Sequence, residues 1–456
     1  MQHIKAKGMA CTRAYRGIIV PLVLALCRRR FTPDSPSNRI SLDRVADGVS
    51  RGQLAVLRCL RRRSTAGELH VYLVGGPVRD AILGMPVKDL DFVLLGDAPA
   101  LAEELAREFA NDFETRATVH PRFGTATVEI EGDRVDVVTA RKEVYPFPGS
   151  LPEVSAGSLE DDLARRDFSI NAMALPLLGD FPEVIDPHGG IQDLETRLVR
   201  TLHSASFADD PTRMLRAVRY QQRLGFQVAD STMSELTDSL SAGHVAAVTG
   251  DRWRQEFKRI FEEDRAAEML LQAIEFGILA AIHPALSDSS GLARLGGGKT
   301  LEPENLGAMD YLAAVVSSLS TGDGEGVNHR LNLPAAWSRV VRDTIALREL
   351  APALSGPSVR PSDVCFALDG LDPAAIAASV RLFEDSQVAG RLRQYLAEWR
   401  LIVAEMTGND LLAVGVPAGP EVGRVLRELT LAKQDGLLQN ADEERALVNQ
   451  IISRGS

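Results

Sequence analysis

Three carboxylates and a pair of glycines are the residues of this chain most able to do chemistry. Asp89 and Asp91 are separated by one residue and follow Gly75 and Gly76 closely. Alternate side chains of a strand share a face, so a strand over residues 90–95 would direct both carboxylates to one side. Two acids on one face repel each other unless a cation lies between them, and hard divalent cations take oxygen ligands. The spacing therefore predicts a metal site.

The two glycines separate a predicted strand at residues 73–74 from a predicted helix over residues 78–83. Backbone N–H groups at the start of a helix suit a phosphate. Taken separately, Gly-Gly is usually a simple turn and Asp-x-Asp a solvated strand end. Their short spacing, with Arg79 and Asp80 beside the turn, favours a site for a nucleoside triphosphate and its metal.

Asp136 is a third carboxylate, in the middle of an apolar run predicted as a strand over residues 134–138. A charge there is costly unless it is paired or bound to a metal, although the strand face could simply meet solvent. If this strand lies beside the one that carries Asp89 and Asp91, the three acids converge. Two Mg²⁺ ions would then bridge them, one at an attacking hydroxyl and one at a leaving phosphate. The arrangement suits phosphoryl or nucleotidyl transfer.

Two later motifs bring arginine next to acid. Arg165 and Arg166 precede Asp167 and a run predicted as apolar helix, and such a pair of arginines could clamp a triphosphate or a ribose. As a bare charge run, the motif would be weak evidence.

A helix is predicted over residues 209–220, in which Asp210 and Arg213 share a face and Arg216 and Arg219 extend the row. An Asp beside an Arg can read a base edge that presents an amino group next to an acceptor, as cytosine and adenine do. Uracil and guanine place an oxygen where that amino group would be. The alternative is an ordinary helix salt bridge, worth a few tenths of a kcal/mol.

The order of these motifs resembles the bacterial-type CCA-adding tRNA nucleotidyltransferase and poly(A) polymerase family, the class II nucleotidyltransferases. From about residue 70 to 265 the succession is Leu-Val-Gly-Gly-x-Val-Arg-Asp, Asp-x-Asp, Arg-x-Asp, Arg-Arg-Asp-Phe-Ser-Ile-Asn-Ala-Met-Ala and Asp-Asp-Pro-x-Arg-Met-Leu-Arg-Ala. One departure is Asp209, where the family usually has the longer glutamate.

The resemblance implies an α+β chain with a nucleotidyltransferase-type mixed β-sheet head, followed by an all-helical neck, body and tail. The expected divisions are a basic, disordered extension at 1–40, the head at 41–200, a neck with the nucleotide-selecting helix at 201–265, a body and linker at 266–326, and a tRNA-binding body and tail at 327–456.

The resemblance also implies a role for each candidate residue. The expected metal ligands are Asp89, Asp91 and Asp136, binding two Mg²⁺ ions. The residues expected to bind the incoming nucleotide, through its phosphates, sugar or base, are Gly75, Gly76, Arg79, Arg166, Asp210, Arg213, Arg216 and Arg219. Within this set, Asp210 and Arg213 would form the protein template that selects CTP and ATP.

The implied activity is addition of CCA to the 3′ end of tRNA from CTP and ATP without a nucleic-acid template, releasing pyrophosphate. Tail helices would hold the acceptor and TΨC arm of the tRNA. An enzyme that adds only A, or a poly(A) polymerase, shares these motifs. A catalytically inactive RNA-binding module is a more remote alternative, against which the intact acidic trio argues.

Composition limits the other possibilities. The 456-residue chain has four scattered cysteines, which argues against a zinc site or a disulfide framework. Residues 1–63 carry fourteen basic and three acidic residues, a net of +11, so the remainder carries −22 of the total −11. The apolar run at 17–27 is too short to span a bilayer. These features predict a cytoplasmic protein without membrane or protein partners, with organelle targeting left open.

The remaining local patterns predict elements around the motifs. We expect helices at residues 42–62 and 98–110, a hairpin joining strands 125–130 and 134–138, a loop at 143–157, helices from about residue 208 onward, and breaks at 291–305 and 321–326.

Overall fold

The computed structural model describes residues 38–297, 306–383 and 386–455, which form two compact units divided between Ala247 and Val248. The first unit is a mixed sheet with helices, and the second is helical. This confirms the predicted class, a mixed-sheet head followed by helices. The finer domain bounds stay predictions. In the part of the chain that is described, no helix is both long and apolar enough to cross a membrane.

The first unit is built on a six-stranded sheet of order β3-β4-β5-β2-β1-β8. Within it β2 and β5 run parallel, and the other neighbouring pairs are antiparallel. Two small pairs accompany it, β6 with β7 and β9 with β10. The strands are β1 (Val71–Val74), β2 (Leu90–Leu94), β3 (Thr115–His120), β4 (Thr125–Ile130), β5 (Asp133–Thr139), β6 (Arg141–Val144), β7 (Glu153–Ala156), β8 (Ala174–Pro176), β9 (Leu198–Val199) and β10 (Gln227–Val228).

Helices cover the sheet and continue the chain of the first unit. Strands β1 and β2 are nearly all buried, as expected of central strands packed on both faces. The helices are α1 (Leu42–Ala46), α2 (Arg51–Thr65), α3 (Gly76–Leu83), α4 (Ala98–Phe109), α5 (Leu159–Ala164), α6 (Gly190–Thr196), α7 (Ser206–Asp209), α8 (Arg213–Leu224) and α9 (Asp230–Ser241).

Gln53 on helix α2 ties together the starts of the two strands that carry the candidate acids. Its side chain is almost fully buried, and its Nε2 donates to the carbonyl oxygens of Lys88, at 3.1 Å, and Arg134, at 2.9 Å. Lys88 immediately precedes Asp89, and Arg134 lies two residues before Asp136. Because a buried amide needs its hydrogen bonds, this contact fixes the relative position of the two strand entries.

The second unit is helical throughout its described residues. Its buried aromatic residues include Trp253, Phe257 and Phe261, and the partly exposed Trp337 packs against Phe261 with ring centroids 5.8 Å apart. The helices are α10 (Gly250–Phe261), α11 (Ala266–Glu275), α12 (Ile278–Ile282), α13 (Ser290–Gly297), α14 (Ala308–Val316), α15 (Thr321–Leu331), α16 (Ala335–Leu354), α17 (Pro361–Leu368), α18 (Pro373–Leu382), α19 (Gln387–Ala397), α20 (Gly408–Ala413), α21 (Pro420–Gln434) and α22 (Ala441–Gly455).

Three predicted elements of the first unit are corrected. The helix expected at 42–62 is two helices, α1 and α2, because Ser41 and Ser50 each cap a separate start. The loop expected at 143–157 has paired ends, since β6 and β7 form an antiparallel ladder around it. The apolar run after Asp167 is a short 3₁₀ turn followed by β8, because Leu175 pairs with Leu73 of the sheet.

The expected extension at 1–40 lies mostly outside the described residues. Its end belongs to the fold, because Ile40 is buried and its N–H donates to the carbonyl oxygen of Pro182 at 3.2 Å.

The two predicted breaks in the helical unit are wrong where the structure describes them. Residues 321–326 lie in α15, whose start is capped by Ser320. There a Cβ on Gly324 would lie 2.5 Å from Ile345 Cδ1, so this glycine permits close helix packing. Gly291 lies in α13 for a similar reason, and residues 298–305 lie outside the described residues.

Substituting Gly291 by alanine should destabilise the second unit by about 1–3 kcal/mol. A Cβ there would overlap the carbonyl oxygen of Ala314 and the hydroxyl of Ser317. Gly390→Ala in α19 is the control, since its Cβ would meet nothing within 4 Å. That change should be neutral or stabilise by up to about 1 kcal/mol. Urea denaturation followed by tryptophan fluorescence measures both, and equal midpoints would contradict the packing explanation.

Candidate active site

Asp91 and Asp136 lie directly opposite each other on the parallel strands β2 and β5. Burial, and then the neighbouring charge of Asp136, raise the pKa of Asp91 to about 6, with Asp89 adding to the rise and Arg166 and Arg79 opposing it. Thr127 on β4 donates its hydroxyl to Asp136. The two strands therefore place a second acid beside Asp91, where its charge disfavours the ionised form of Asp91.

This acidic pair fits a divalent cation by the chemistry of its donors. Carboxylate oxygens are the ligands that Mg²⁺ takes, and a cation between Asp91 and Asp136 would relieve their repulsion. Asp89 precedes β2 and is exposed. Within ranges 38–297, 306–383 and 386–455, no three His, Cys, Asp or Glu side chains stand close enough to hold a metal ion together. The structure thus assembles the Asp91–Asp136 pair, and the role of all three acids as ligands stays a prediction.

The glycine turn after β1 leaves room for the Arg166 side chain and leads into helix α3. Gly75 has a φ of +73°, and a Cβ there would lie 2.9 Å from Nη1 of Arg166. The Gly75 N–H donates to the carbonyl oxygen of Met173 at 3.2 Å, so it is engaged by the chain next to β8. Gly76 begins α3. The expectation that both glycine N–H groups face a phosphate is therefore wrong for Gly75.

Gly75→Ala should weaken nucleotide binding about tenfold or more because the new Cβ displaces the Arg166 guanidinium. Gly84→Ala is the control. Gly84 also has a positive φ, of +67°, but a Cβ there meets nothing within 4 Å. Its ψ of 24° is left-handed helical, so this variant should lose about 1 kcal/mol of stability, whereas Gly75, with a ψ of −131°, should lose more. Isothermal titration with ATP, together with thermal denaturation, separates the two effects. Equal affinities for the two variants would refute the Arg166 contact as the cause.

Arg79 is a buried cation held by polar side chains from two directions. Its Nη1 donates to Oδ1 of Asn171 at 2.7 Å, and its Nε donates to Oδ1 of Asp80 at 2.8 Å. Asn171 in turn donates to Asp167 at 3.0 Å, and Arg216 pairs with the other oxygen of Asp167 at 2.6 Å. The network fixes Arg79 and Arg216, which come from α3 and α8.

Asp167 is the buried anion of this network. Burial alone would raise its pKa, but the charge of Arg216 and the hydrogen bonds from Asn171 and Arg216 lower the pKa to about 2. A carboxylate held ionised in this way stabilises the native state.

Asp167→Asn should reduce the free energy of unfolding by about 2 kcal/mol at neutral pH. Because the native-state pKa lies below that of the unfolded chain, this stabilisation is present above a pH of about 4 and is lost as the pH falls through 2. Urea denaturation followed by circular dichroism across this pH range should show a shallower loss for the variant. Asp112→Asn, at an exposed position, is the control. Superposable pH profiles for Asp167→Asn and the unmodified protein would contradict the assignment.

The consecutive arginines are held by a fully buried acid, Asp162 on α5. Arg166 Nη2 lies 2.9 Å from one Asp162 oxygen and Arg165 Nη2 2.6 Å from the other. Arg165 also pairs with Glu143 at 3.1 Å, on the β6–β7 hairpin. Glu143 accepts from the Tyr145 hydroxyl as well, at 3.0 Å. The pairing with Asp162 therefore fixes the position of the Arg166 guanidinium, whose charge acts on Asp91.

The expected pairing of Asp210 and Arg213 on one helix face is wrong as a helical arrangement. Asp210 precedes Pro211 and is extended, with φ −136° and ψ 93°, so α8 begins only at Arg213. Oδ1 of Asp210 accepts from the N–H of Thr212, at 2.9 Å, and from its hydroxyl, at 2.6 Å.

Arg213 is anchored elsewhere. Its Nη1 donates to Oγ of Ser206 at 2.7 Å, and its Nη2 donates to the carbonyl oxygen of Arg165 at 2.8 Å. Arg216 and Arg219 do not simply continue a row from Asp210, since Arg216 turns to Asp167 and Arg219 is buried beside the Tyr220 ring. The structure therefore joins the Arg213 guanidinium to Ser206 and to the Arg165–Arg166 segment, while the Arg213 N–H donates to the carbonyl oxygen of Asp210 at 3.0 Å.

Three residues of the site escaped sequence reasoning: Asn171, Ser206 and Tyr220. Asn171 is a polar residue inside the apolar run after Asp167, which could have marked it as a buried hydrogen-bonding group. Ser206 carries no comparable local signal, because its partner Arg213 lies on the next helix. Tyr220 lies four residues after Arg216 on α8, and that spacing could have indicated their contact.

Comparisons with known proteins agree with this architecture. A model of the poly A polymerase head domain matches residues 71–200, and one described as a probable RNA and SrmB-binding site of polymerase A matches residues 225–289. The sheet with its opposed aspartates and arginines thus defines a polymerase-type nucleotidyltransferase head.

The chain is 34% identical over 404 residues to a CC-adding tRNA nucleotidyltransferase of Deinococcus radiodurans, covering 87% of this chain and 93% of that protein. It is 32% identical over 427 residues to an A-adding tRNA nucleotidyltransferase of Geobacter sulfurreducens, covering 87% of this chain. The Thermotoga maritima CCA-adding enzyme complexed with tRNA has a TM-score of 0.71 at 27% identity, covering 91% of this chain and 99% of that one. This chain belongs to the bacterial-type CCA-adding tRNA nucleotidyltransferase and poly(A) polymerase family.

The lengths of these relatives differ. The chain spans 47% of the Geobacter relative and nearly all of the Deinococcus one. Family membership therefore rests on the full-length match, and the activity of the whole protein is a separate question.

Proposed function

We propose that this protein adds CCA to the 3′ end of tRNA, taking CTP and ATP as substrates without a nucleic-acid template. The observation that carries the proposal is the opposed pair Asp91 and Asp136, with the charges of Arg79 and Arg166 acting on Asp91. Nucleotidyl transfer requires acids that bind a cation and, beside them, arginines that bind the phosphates.

In the proposed reaction, the terminal 3′-hydroxyl oxygen of the tRNA bonds to the α-phosphorus of the nucleotide. The bond from that phosphorus to its bridging oxygen breaks, and pyrophosphate leaves. Asp89, Asp91 and Asp136 would hold two Mg²⁺ ions, whose chemistry when bound is to neutralise charge at the attacking and departing oxygens.

The arginines of the site would hold the triphosphate. Guanidinium groups match phosphate oxygens in geometry and stay charged. Arg166 is paired with Asp162. Arg79 is held by Asn171, and Arg216 is held by Asp167. Such preorganised cations lose little entropy on binding, so they favour the departing pyrophosphate at low reorganisation cost. Gly76 would let the nucleotide approach the start of α3.

Base choice in this proposal is assigned to Arg213 and Asp210. Arg213 is fixed by Ser206 and by the Arg165 carbonyl, while the Asp210 carboxylate is bound to Thr212. Reading a base edge would therefore require the Asp210 carboxylate to exchange present contacts for the base. This arrangement supports a template formed across the turn at Pro211 rather than along one helix.

A second candidate is addition of A alone. It is favoured by the Geobacter relative, whose name specifies A addition at 32% identity, whereas the Deinococcus relative at 34% is named for CC addition. Identities this close do not separate partial from complete addition. A poly(A) polymerase activity is the third possibility that the family holds.

The deciding experiment offers purified protein and Mg²⁺ three tRNA transcripts, ending at the discriminator base, at C and at CC, with each labelled nucleotide in turn. CCA addition predicts CTP incorporation on the first two and ATP incorporation on the third. ATP incorporation on CC ends alone establishes A addition. Long A tails establish polyadenylation, and no incorporation on any end overturns the enzyme assignment.

Asp91→Asn should reduce incorporation of every nucleotide by at least about 10²-fold, because a neutral amide cannot hold the cation as a carboxylate does. Binding of tRNA, measured by filter retention, should not change. Asp133→Asn, at the exposed start of β5, is the control and should keep its activity. Turnover retained by Asp91→Asn would exclude this residue from the reaction centre.

The partner and location assignments complete the proposal. We assign the tRNA acceptor and TΨC arm to the helices after residue 327, and the protein to the cytoplasm. The tRNA complex of the similar Thermotoga enzyme supports the first assignment.

A further inference from the structure

Three arginines surround a single aromatic ring at the centre of the head. The guanidinium carbons of Arg79, Arg216 and Arg219 lie 5.2, 5.8 and 5.7 Å from the centroid of the Tyr220 ring. These distances are within the range of cation–π attraction. The Tyr220 hydroxyl is also 3.5 Å from Nη2 of Arg216.

The ring joins two helices. Arg216 and Tyr220 are four residues apart on α8 and therefore share a face, Arg219 is adjacent in sequence, and Arg79 comes from α3. Phe168 packs edge-on against Tyr220, with centroids 5.8 Å apart and planes at 80°. The ring is 8% exposed, so its orientation is fixed by packing.

Carboxylates also contact this cluster. Asp80 pairs with Arg79 at 2.8 Å, and Asp167 pairs with Arg216 at 2.6 Å. Three like charges around one ring repel one another, and the negative face of an aromatic ring offsets part of that repulsion. An aliphatic side chain of similar size would fill the space without supplying this attraction.

We propose that Tyr220 is a positioning residue for the triphosphate: its ring holds Arg79, Arg216 and Arg219 as one preorganised cationic cluster, whose combined charge attracts the phosphates and the pyrophosphate until it departs. The inference rests on the proposed function and deepens it. Tyr220 acts through the arginines and does not itself touch the reacting atoms.

The test compares Tyr220→Leu and Tyr220→Met, which remove the ring, with Tyr220→Phe, which keeps it. Phe226→Leu is the packing control, because Phe226 is 7% exposed and follows the same helix. Loss of the ring should raise KM for both ATP and CTP about tenfold and change kcat less than about threefold. The KM for tRNA should not change, and Tyr220→Phe should restore KM to within about twofold.

Titration calorimetry with Mg²⁺-pyrophosphate supplies a readout that does not need turnover. The two ring-free variants should bind pyrophosphate about tenfold more weakly than Tyr220→Phe, while Phe226→Leu should lose thermal stability without losing affinity. If the ring-free variants lose stability but keep their pyrophosphate affinity, Tyr220 is only a packing residue and the inference is overturned.

The two proposals fail separately. Absence of incorporation by the unmodified protein removes the proposed function, yet the difference in pyrophosphate affinity still tests the arrangement of the arginines. Normal incorporation with equal KM values for Tyr220→Leu and Tyr220→Phe removes the role of the ring and leaves the function in place.

Discussion

The repulsion between Asp91 and Asp136 is the constraint on which the rest of the head depends. Parallel pairing of β2 and β5 sets these residues opposite each other, and burial together with the neighbouring acids raises the pKa of Asp91 to about 6. This arrangement does not favour the stability of the sheet, because the charge of Asp136 makes the ionised form of Asp91 less favourable. The buried Gln53 amide, bonded to the entries of both strands, holds the arrangement in register.

Buried ion pairs fix the arginines of the site. Asp162 is fully buried under Arg165 and Arg166, and Asp167 is nearly buried under Arg216. Paired charges of this kind contribute modestly to stability, but they restrict where a guanidinium can point. Asn171 connects the two systems, since its carbonyl oxygen accepts from Arg166 at 3.4 Å and its side chain donates to Asp167. The site is therefore one network in which cations are oriented before a ligand arrives.

The sequence predicted those parts of this site that depend on local pattern. The Asp-x-Asp spacing and the apolar run around Asp136 predicted the two strands but left their adjacency as a condition, which the pairing of β2 with β5 meets. The segment after Asp167 was not predictable locally, because its apolar residues become strand only through pairing of Leu175 with Leu73, about a hundred residues away.

The glycines of the helical unit misled for a related reason. Gly291 and Gly324 read as breaks in composition, yet each lies inside a helix where a neighbouring helix leaves no room for a Cβ. Asp210 misled in the opposite direction: its spacing to Arg213 suits a helix, but Pro211 forces it into an extended conformation before the helix begins. The contacts of the two glycines lie outside the local sequence pattern, whereas the effect of Pro211 on Asp210 is a nearest-neighbour effect that could have been predicted from the sequence.

The placement of the tryptophans has an optical consequence. Trp253, Trp337 and Trp399 all follow residue 247, and the head contains tyrosine but no indole between residues 38 and 247. Indole emission therefore reports on the helical unit alone. A single tryptophan introduced into the head would add an indole signal from that unit, so the difference in emission between this variant and the unmodified protein would follow the melting of the head.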